Sequence, residues 1–145
     1  MREHKYRGLT FNGKRVYGSL LETEDRSRAY IGYVELIEDG DMEDIHYDEV
    51  IPKTVGQYIG QRDSKRTQEY PEGQEIWEGD ILGGTNADNE AIRPFVVRWE
   101  HGMYPLYDSF DGFDYTSLDY VIEMGYDLFV IGNEHENPEL LEAKP

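Results

Sequence analysis

Glu75-Ile76-Trp77-Glu78-Gly79-Asp80-Ile81-Leu82 is the stretch around which the rest of the chain is read. The apolar positions Ile76 and Trp77 run into Glu78-Gly79-Asp80, a turn or bulge signal, and Ile81-Leu82 resumes the apolar run. The chain therefore bends sharply and returns as strand. Segments rich in β-branched and aromatic residues follow at 95–99 and 129–131, each of a length that can pair with the first. This is the pattern expected at the entry to a small barrel.

Working toward the N-terminus, residues 5–11 and 14–20 flank Asn12-Gly13, and Asn-Gly between two short runs predicts a tight hairpin. A third strand is expected over 29–37, where Tyr30, Ile31, Tyr33, Val34, Leu36 and Ile37 are β-formers. A fourth is expected over 45–51, ended by Pro52, which cannot donate a ladder hydrogen bond. Residues 53–72, punctuated by Gly56 and Gly60, read as a crossing segment and an exposed loop. Toward the C-terminus, residues 83–90 read as an open loop, and 92–99 and 103–107 as a second antiparallel meander. Ser117 offers an N-cap for a short helix with Leu118, Val121 and Ile122 at helical spacing, which Gly125 stops. A last strand is expected over 126–131, and Asn137-Pro138 opens a final helical turn. The fold class expected is mainly β: a small antiparallel barrel of SH3-like type, with an N-terminal hairpin and meander and one or two short helices. Residues 1–72 are expected to form the meander and crossing loop, and 73–145 the barrel, packed as one compact unit.

The chain has 145 residues, enough for one domain that buries roughly two-thirds of its unfolded surface. It has no cysteine, so disulfides, thiolate metal sites and a cysteine nucleophile are excluded. Acidic side chains number 31 against 14 basic ones, a net charge of −17. Such a surface repels nucleic-acid phosphate and anionic lipid, because the cations that would release counterions are outnumbered. No run approaches the roughly 18 apolar residues of a membrane helix, and no apolar stretch follows the N-terminus to act as a signal peptide. A cytoplasmic protein that binds neither nucleic acid nor membrane is expected.

Three ordered motifs carry a resemblance. Residues 54–60 with Gly56, Gln57 and Gly60, followed by Asp63, form the first; Trp77-Glu78-Gly79-Asp80 lies in the second; Gly132-Asn133 with Asn137-Pro138 closes the third. Together they resemble the YopX family of phage and prophage proteins, as do Tyr6-Arg7 and Val16-Tyr17-Gly18 near the start. The chain departs from the family pattern in a longer segment over 64–74 and in Glu134-His135, which replaces a pair that is commonly apolar and aromatic. The resemblance implies a mostly β protein encoded by a phage or prophage, with no catalytic mechanism to carry over.

Candidate chemistry is sparse. Glu78 and Asp80, two apart, could pair for acid-base work or a divalent cation, with Asp63 and His101 near by. The plainer reading gives Asp80 to backbone amides and Gly79 to the bend. Asn86, Asp88 and Glu90, and likewise Asp108, Asp111 and Asp114, alternate oxygen ligands but lack the twelve-residue calcium-loop pattern. The four histidines have no zinc spacing, and no nucleophile elbow, phosphate loop or dinucleotide turn occurs. No cofactor is expected. Tyr104, Tyr107, Phe110, Phe113, Tyr115 and Tyr120 crowd the acidic stretch, and amphipathic aromatics beside acidic loops suit protein docking.

The expectation is a non-enzymatic accessory module that binds a host or phage protein, with Asp108, Asp111 and Asp114 on the partner surface. Self-association is compatible with the sequence. The alternatives are a small metal-dependent hydrolase and an acidic DNA mimic that inhibits a host protein.

Overall fold

A computed structural model describes residues 5–36, 43–100, 102–107 and 115–141. The chain is mainly β, with antiparallel sheets and, among the described residues, one short α-helix, and divides into two compact units, residues 1–58 and 59–145.

The first unit opens with β1 (Tyr6–Leu9) and β2 (Arg15–Glu22), turned by Asn12-Gly13 as expected. Gly13 takes φ +86°, and its N–H donates to the Thr10 carbonyl at 2.9 Å. Strand β3 (Ala29–Leu36) pairs with β2, and β4 (Glu43–Val50) pairs with β3 in an unbroken register from Ala29↔Val50 to Leu36↔Glu43. Pro52–Thr54 forms a single 3-10 turn, and the Thr54 hydroxyl accepts the Leu9 N–H at 2.9 Å while donating to the Ile51 carbonyl at 2.6 Å. Val16, Ala29, Ile31 and Val50 form the core, with Tyr6, Leu20 and Val55 packed on it. Gly8 lets Val50 in, since a Cβ there would meet the valine side chain at 3.1 Å.

Residues 56–62 are not a crossing loop but strand β5 (Gly56–Arg62), whose start pairs with β1 at Tyr6↔Gln57 and Arg7↔Gly56. The glycines hid it. Gly56 is buried opposite Arg7, while Gly60 adopts φ +83° in open space.

In the second unit, β6 (Glu75–Trp77) pairs with β5, and the bend at 78–79 leads into β7 (Asp80–Thr85). β7 is the centre of a three-stranded sheet between β8 (Phe95–Val96) and β11 (Asp127–Asn133), so the pairing expected of the opening stretch is realised. The expected loop at 83–90 begins later, because Gly83 and Gly84 belong to β7. A Cβ on Gly84 would sit 1.9 Å from the Asp127 carbonyl oxygen, so glycine marks close backbone approach here, not a turn. Conversely, the strand expected over 92–99 shrinks to two residues.

β9 (Pro105–Tyr107) and β10 (Tyr115–Ser117) form a separate ribbon leading into α1 (Leu118–Glu123). The Ser117 side chain accepts the Tyr120 N–H at 3.3 Å and Gly125 ends the helix at φ +95°, both as expected. The core gathers Ile59, Ile76, Leu82, Val97, Leu118, Val121 and Leu128.

The expected closed barrel does not form. Among the described residues β11 and β8 end one sheet and β9 pairs only with β10, while in the first unit a single bridge, Thr10↔Val50, is all that links the end of β1 back to β4; a closed barrel of SH3-like type is not seen.

Candidate functional site

The motif residues meet in the second unit, where they hold backbone. Gly79 takes φ +91°; its N–H donates to the Val97 carbonyl at 2.8 Å and its own carbonyl accepts the Glu134 N–H at 2.9 Å. Asp80 is 3% exposed, and its carboxylate accepts the Trp77 N–H at 2.8 Å across the turn, fixing the bend beneath the buried Trp77 ring. Asp63, 4% exposed, spends one carboxylate oxygen on the Gln74 N–H at 2.8 Å and the other on the Val130 N–H at 3.1 Å. It thereby joins the segment after β5 to β11, an edge strand of its sheet, and satisfies the Val130 amide there.

The third motif makes a clasp. Asn133, buried, accepts the His135 N–H at 2.9 Å through its side chain and the Asn137 N–H at 2.7 Å through its carbonyl, while the Asn137 side chain accepts the Asn133 N–H at 3.2 Å. Pro138 then starts the 3-10 turn Pro138–Leu141. A Cβ on Gly132 would meet Leu140 at 2.7 Å and Asn137 at 2.9 Å, so this turn lies flat on the glycine.

Glu78 is half-buried beside the buried Asp80. Asp80 lies under the turn and Asp63 is committed to two amides. Among the described residues no group of three His, Asp or Glu side chains is disposed to hold a metal ion. Asn86 forms a turn through its own side chain, which accepts the N–H groups of Asp88 and Glu90 at 2.9 and 3.0 Å. His101, Asp108, Asp111 and Asp114 lie outside the described residues. A groove of about 370 Å³ runs beside the 64–74 loop, lined by Asp63, Lys65, Thr67, Gln68, Tyr70 and Val130. Glu69 and Gln74 complete its polar lining; the Asp63 carboxylate is spent on amides, and the Lys65 ammonium lies 5.6 Å from the centre of the Phe129 ring.

The exposed feature that the sequence reading missed is in the first unit. Cross-strand partners share a face, so Tyr17 and Leu21 of β2, Val34 and Leu36 of β3, and Ile45 and Tyr47 of β4 all lie on the side opposite the core. Exposure reaches 55% at Val34, 69% at Ile45, 63% at Tyr47 and 71% at Leu36. At one end of this face the Arg28 guanidinium grips Glu49 through two bonds of 2.7 and 3.0 Å. That contact holds the Glu49 carboxyl below and the Arg28 guanidinium above their ordinary values, chiefly through hydrogen bonding. The signal was legible: β3 carries apolar residues at both parities of the strand, more than one core face can use.

No helix among the described residues is long and apolar enough to cross a membrane, a statement that does not bear on β-barrels. No curated protein and no solved structure matches the chain. The family model described as YopX protein matches residues 5–142, nearly the whole length and all three motifs that the turn, the two carboxylates and the clasp explain. The chain belongs to the YopX family.

Proposed function

We propose that this chain is a non-enzymatic, phage- or prophage-encoded accessory module whose work is to bind a protein of the host or the phage. The observation that carries the reading is the apolar outer face of β2, β3 and β4. A row of six large side chains there is about half exposed or more, and contiguous exposed apolar surface of this kind marks interaction sites in soluble proteins. The carboxylates that could have served chemistry support the same reading, since Asp63 and Asp80 are buried and bonded to main-chain amides.

The test is capture from a bacterial host lysate with the tagged chain and with the double variant Val34→Ser/Ile45→Ser. Both positions are exposed, so thermal unfolding should be nearly unchanged, while a specific partner should be retained by the parent chain and lost by the variant. Equal capture by both would remove the face from the function.

A further inference from the structure

Past Gly32 the β3–β4 pair leaves the core. Residues Tyr33 to Leu36 are exposed at every position, whereas Ala29, Ile31 and Gly32 are buried. The projecting ribbon is held by its own cross-strand contacts: the Tyr33 and His46 rings stack at 4.9 Å and 17°, and His46 Nε2 lies 2.8 Å from the Glu35 carboxylate. A two-stranded ribbon with one apolar face is short of what a stable sheet needs, and a third strand supplies it.

The place for that strand is the outer edge of β4, the terminal strand of its sheet. Among the described residues only its last is met from that side, by the isolated bridge Thr10↔Val50. From Glu43 to Glu49 the strand has no bulge, proline, lysine or arginine, so two of the usual protections of an edge, kinking and cations, are absent. What it carries is acid: Glu43-Asp44-Ile45-His46-Tyr47-Asp48-Glu49. A second copy fits poorly. Antiparallel pairing of two β4 strands that matches Ile45 with Tyr47 also sets Glu43 against Glu49 and Asp44 against Asp48, like charges directly opposite.

We infer that β4 is a docking edge for an extended segment of a partner protein in which apolar residues alternate with lysine or arginine. Added beside β4, its apolar side chains join Ile45 and Tyr47 on the outer face and its cations meet Asp44 and Asp48 on the other. The main chain of the partner supplies the missing ladder. This rests on the protein-binding reading above and specifies its partner.

The probes are synthetic peptides of alternating valine and lysine, the same composition with the valines contiguous, and alternating valine and glutamate, measured by fluorescence anisotropy on the full chain. The alternating basic peptide should bind about tenfold or more tighter than either control, since two favourable cross-strand charge pairs multiply to that order. N-methylation of alternate peptide amides on the docking edge should abolish binding, and Asp44→Lys/Asp48→Lys should transfer preference to the glutamate peptide. Equal binding of the contiguous peptide, indifference to N-methylation, or a dimer of the chain in sedimentation that Asp48→Lys alone strengthens, by setting Asp44 against the new cation, would overturn the inference. If lysate capture is lost on Val34→Ser/Ile45→Ser but unchanged by Asp44→Lys/Asp48→Lys, the docking edge is wrong and the protein-binding reading stands. If neither pair of substitutions alters capture, both are wrong.

Discussion

Asp63 commits both carboxylate oxygens to the main chain, and its replacement separates charge from geometry. Its two oxygens each accept a main-chain N–H, so Asp63→Asn turns one acceptor into an NH2 group facing another donor. Asp63→Asn should therefore cost nearly as much as Asp63→Ala, about 2 kcal/mol or more in urea unfolding, because both leave a largely buried amide unpaired. Gly79→Ala tests conformation alone: φ is +91° and the nearest atom to an added Cβ is 3.5 Å away, so the expected cost of about 1 kcal/mol is backbone strain without a clash. Asp25 provides the pH case. The Ser27 amide, then the Ser27 and Thr23 hydroxyls, bond its carboxylate and hold its pKa down to about 2 from 3.8. A folded value below the unfolded one means the contribution is complete above 3.8 and is lost as pH falls toward 2. A carbon-13 titration of Asp25 should show a midpoint near the lower value, and Ser27→Ala should move it up.

At the scale of elements, short-range signals were readable and long-range ones were not. Asn12-Gly13, Gly79 and the Ser117 cap each act within four residues, so composition alone announces them. Strand β5 and the second half of β7 escape a local reading because glycine ordinarily marks turns. At Gly84 it is demanded by the Asp127 carbonyl across the sheet, 43 positions away in sequence, which no local pattern reveals. Gly84→Ala should accordingly be far worse than Gly79→Ala, on the order of 4 kcal/mol, since the β7–β11 pair must separate to admit the methyl group. A chain that does not fold would be the extreme of that outcome; a cost equal to that of Gly79→Ala would contradict the close approach.

For the whole molecule, the motifs gave the family and the strand-forming segments gave the mainly β class, but barrel closure depends on which edges meet. That is a global property: β8 is two residues long and β9 turns away to β10, and neither fact is written in the local alternation. The net charge of −17 is global in another way. Like charges crowd together on folding, so added monovalent salt should raise the melting temperature over the range in which the Debye length shrinks to about 8 Å at physiological ionic strength. Calorimetry at increasing sodium chloride checks this, and a magnesium salt at matched ionic strength tests for a specific divalent site, which would add a further, saturating shift.

The anchoring of Asp63 and Ser64 on β11 has a consequence in time. Val130 and Leu128 lie 67 and 64 positions downstream of their partners, and β7 takes its long ladder from the same strand. During synthesis β7 leaves the ribosome without β11, and the Asp63 carboxylate without the Val130 amide, and both wait for residues 127–133 at about 5–20 residues per second. The 6–22 hairpin, closed by a local turn, folds well before that. The nascent second unit therefore spends several seconds with β7 short of its longest ladder, the interval in which a chaperone has most to hold and a truncation before 127 leaves that strand without its partner.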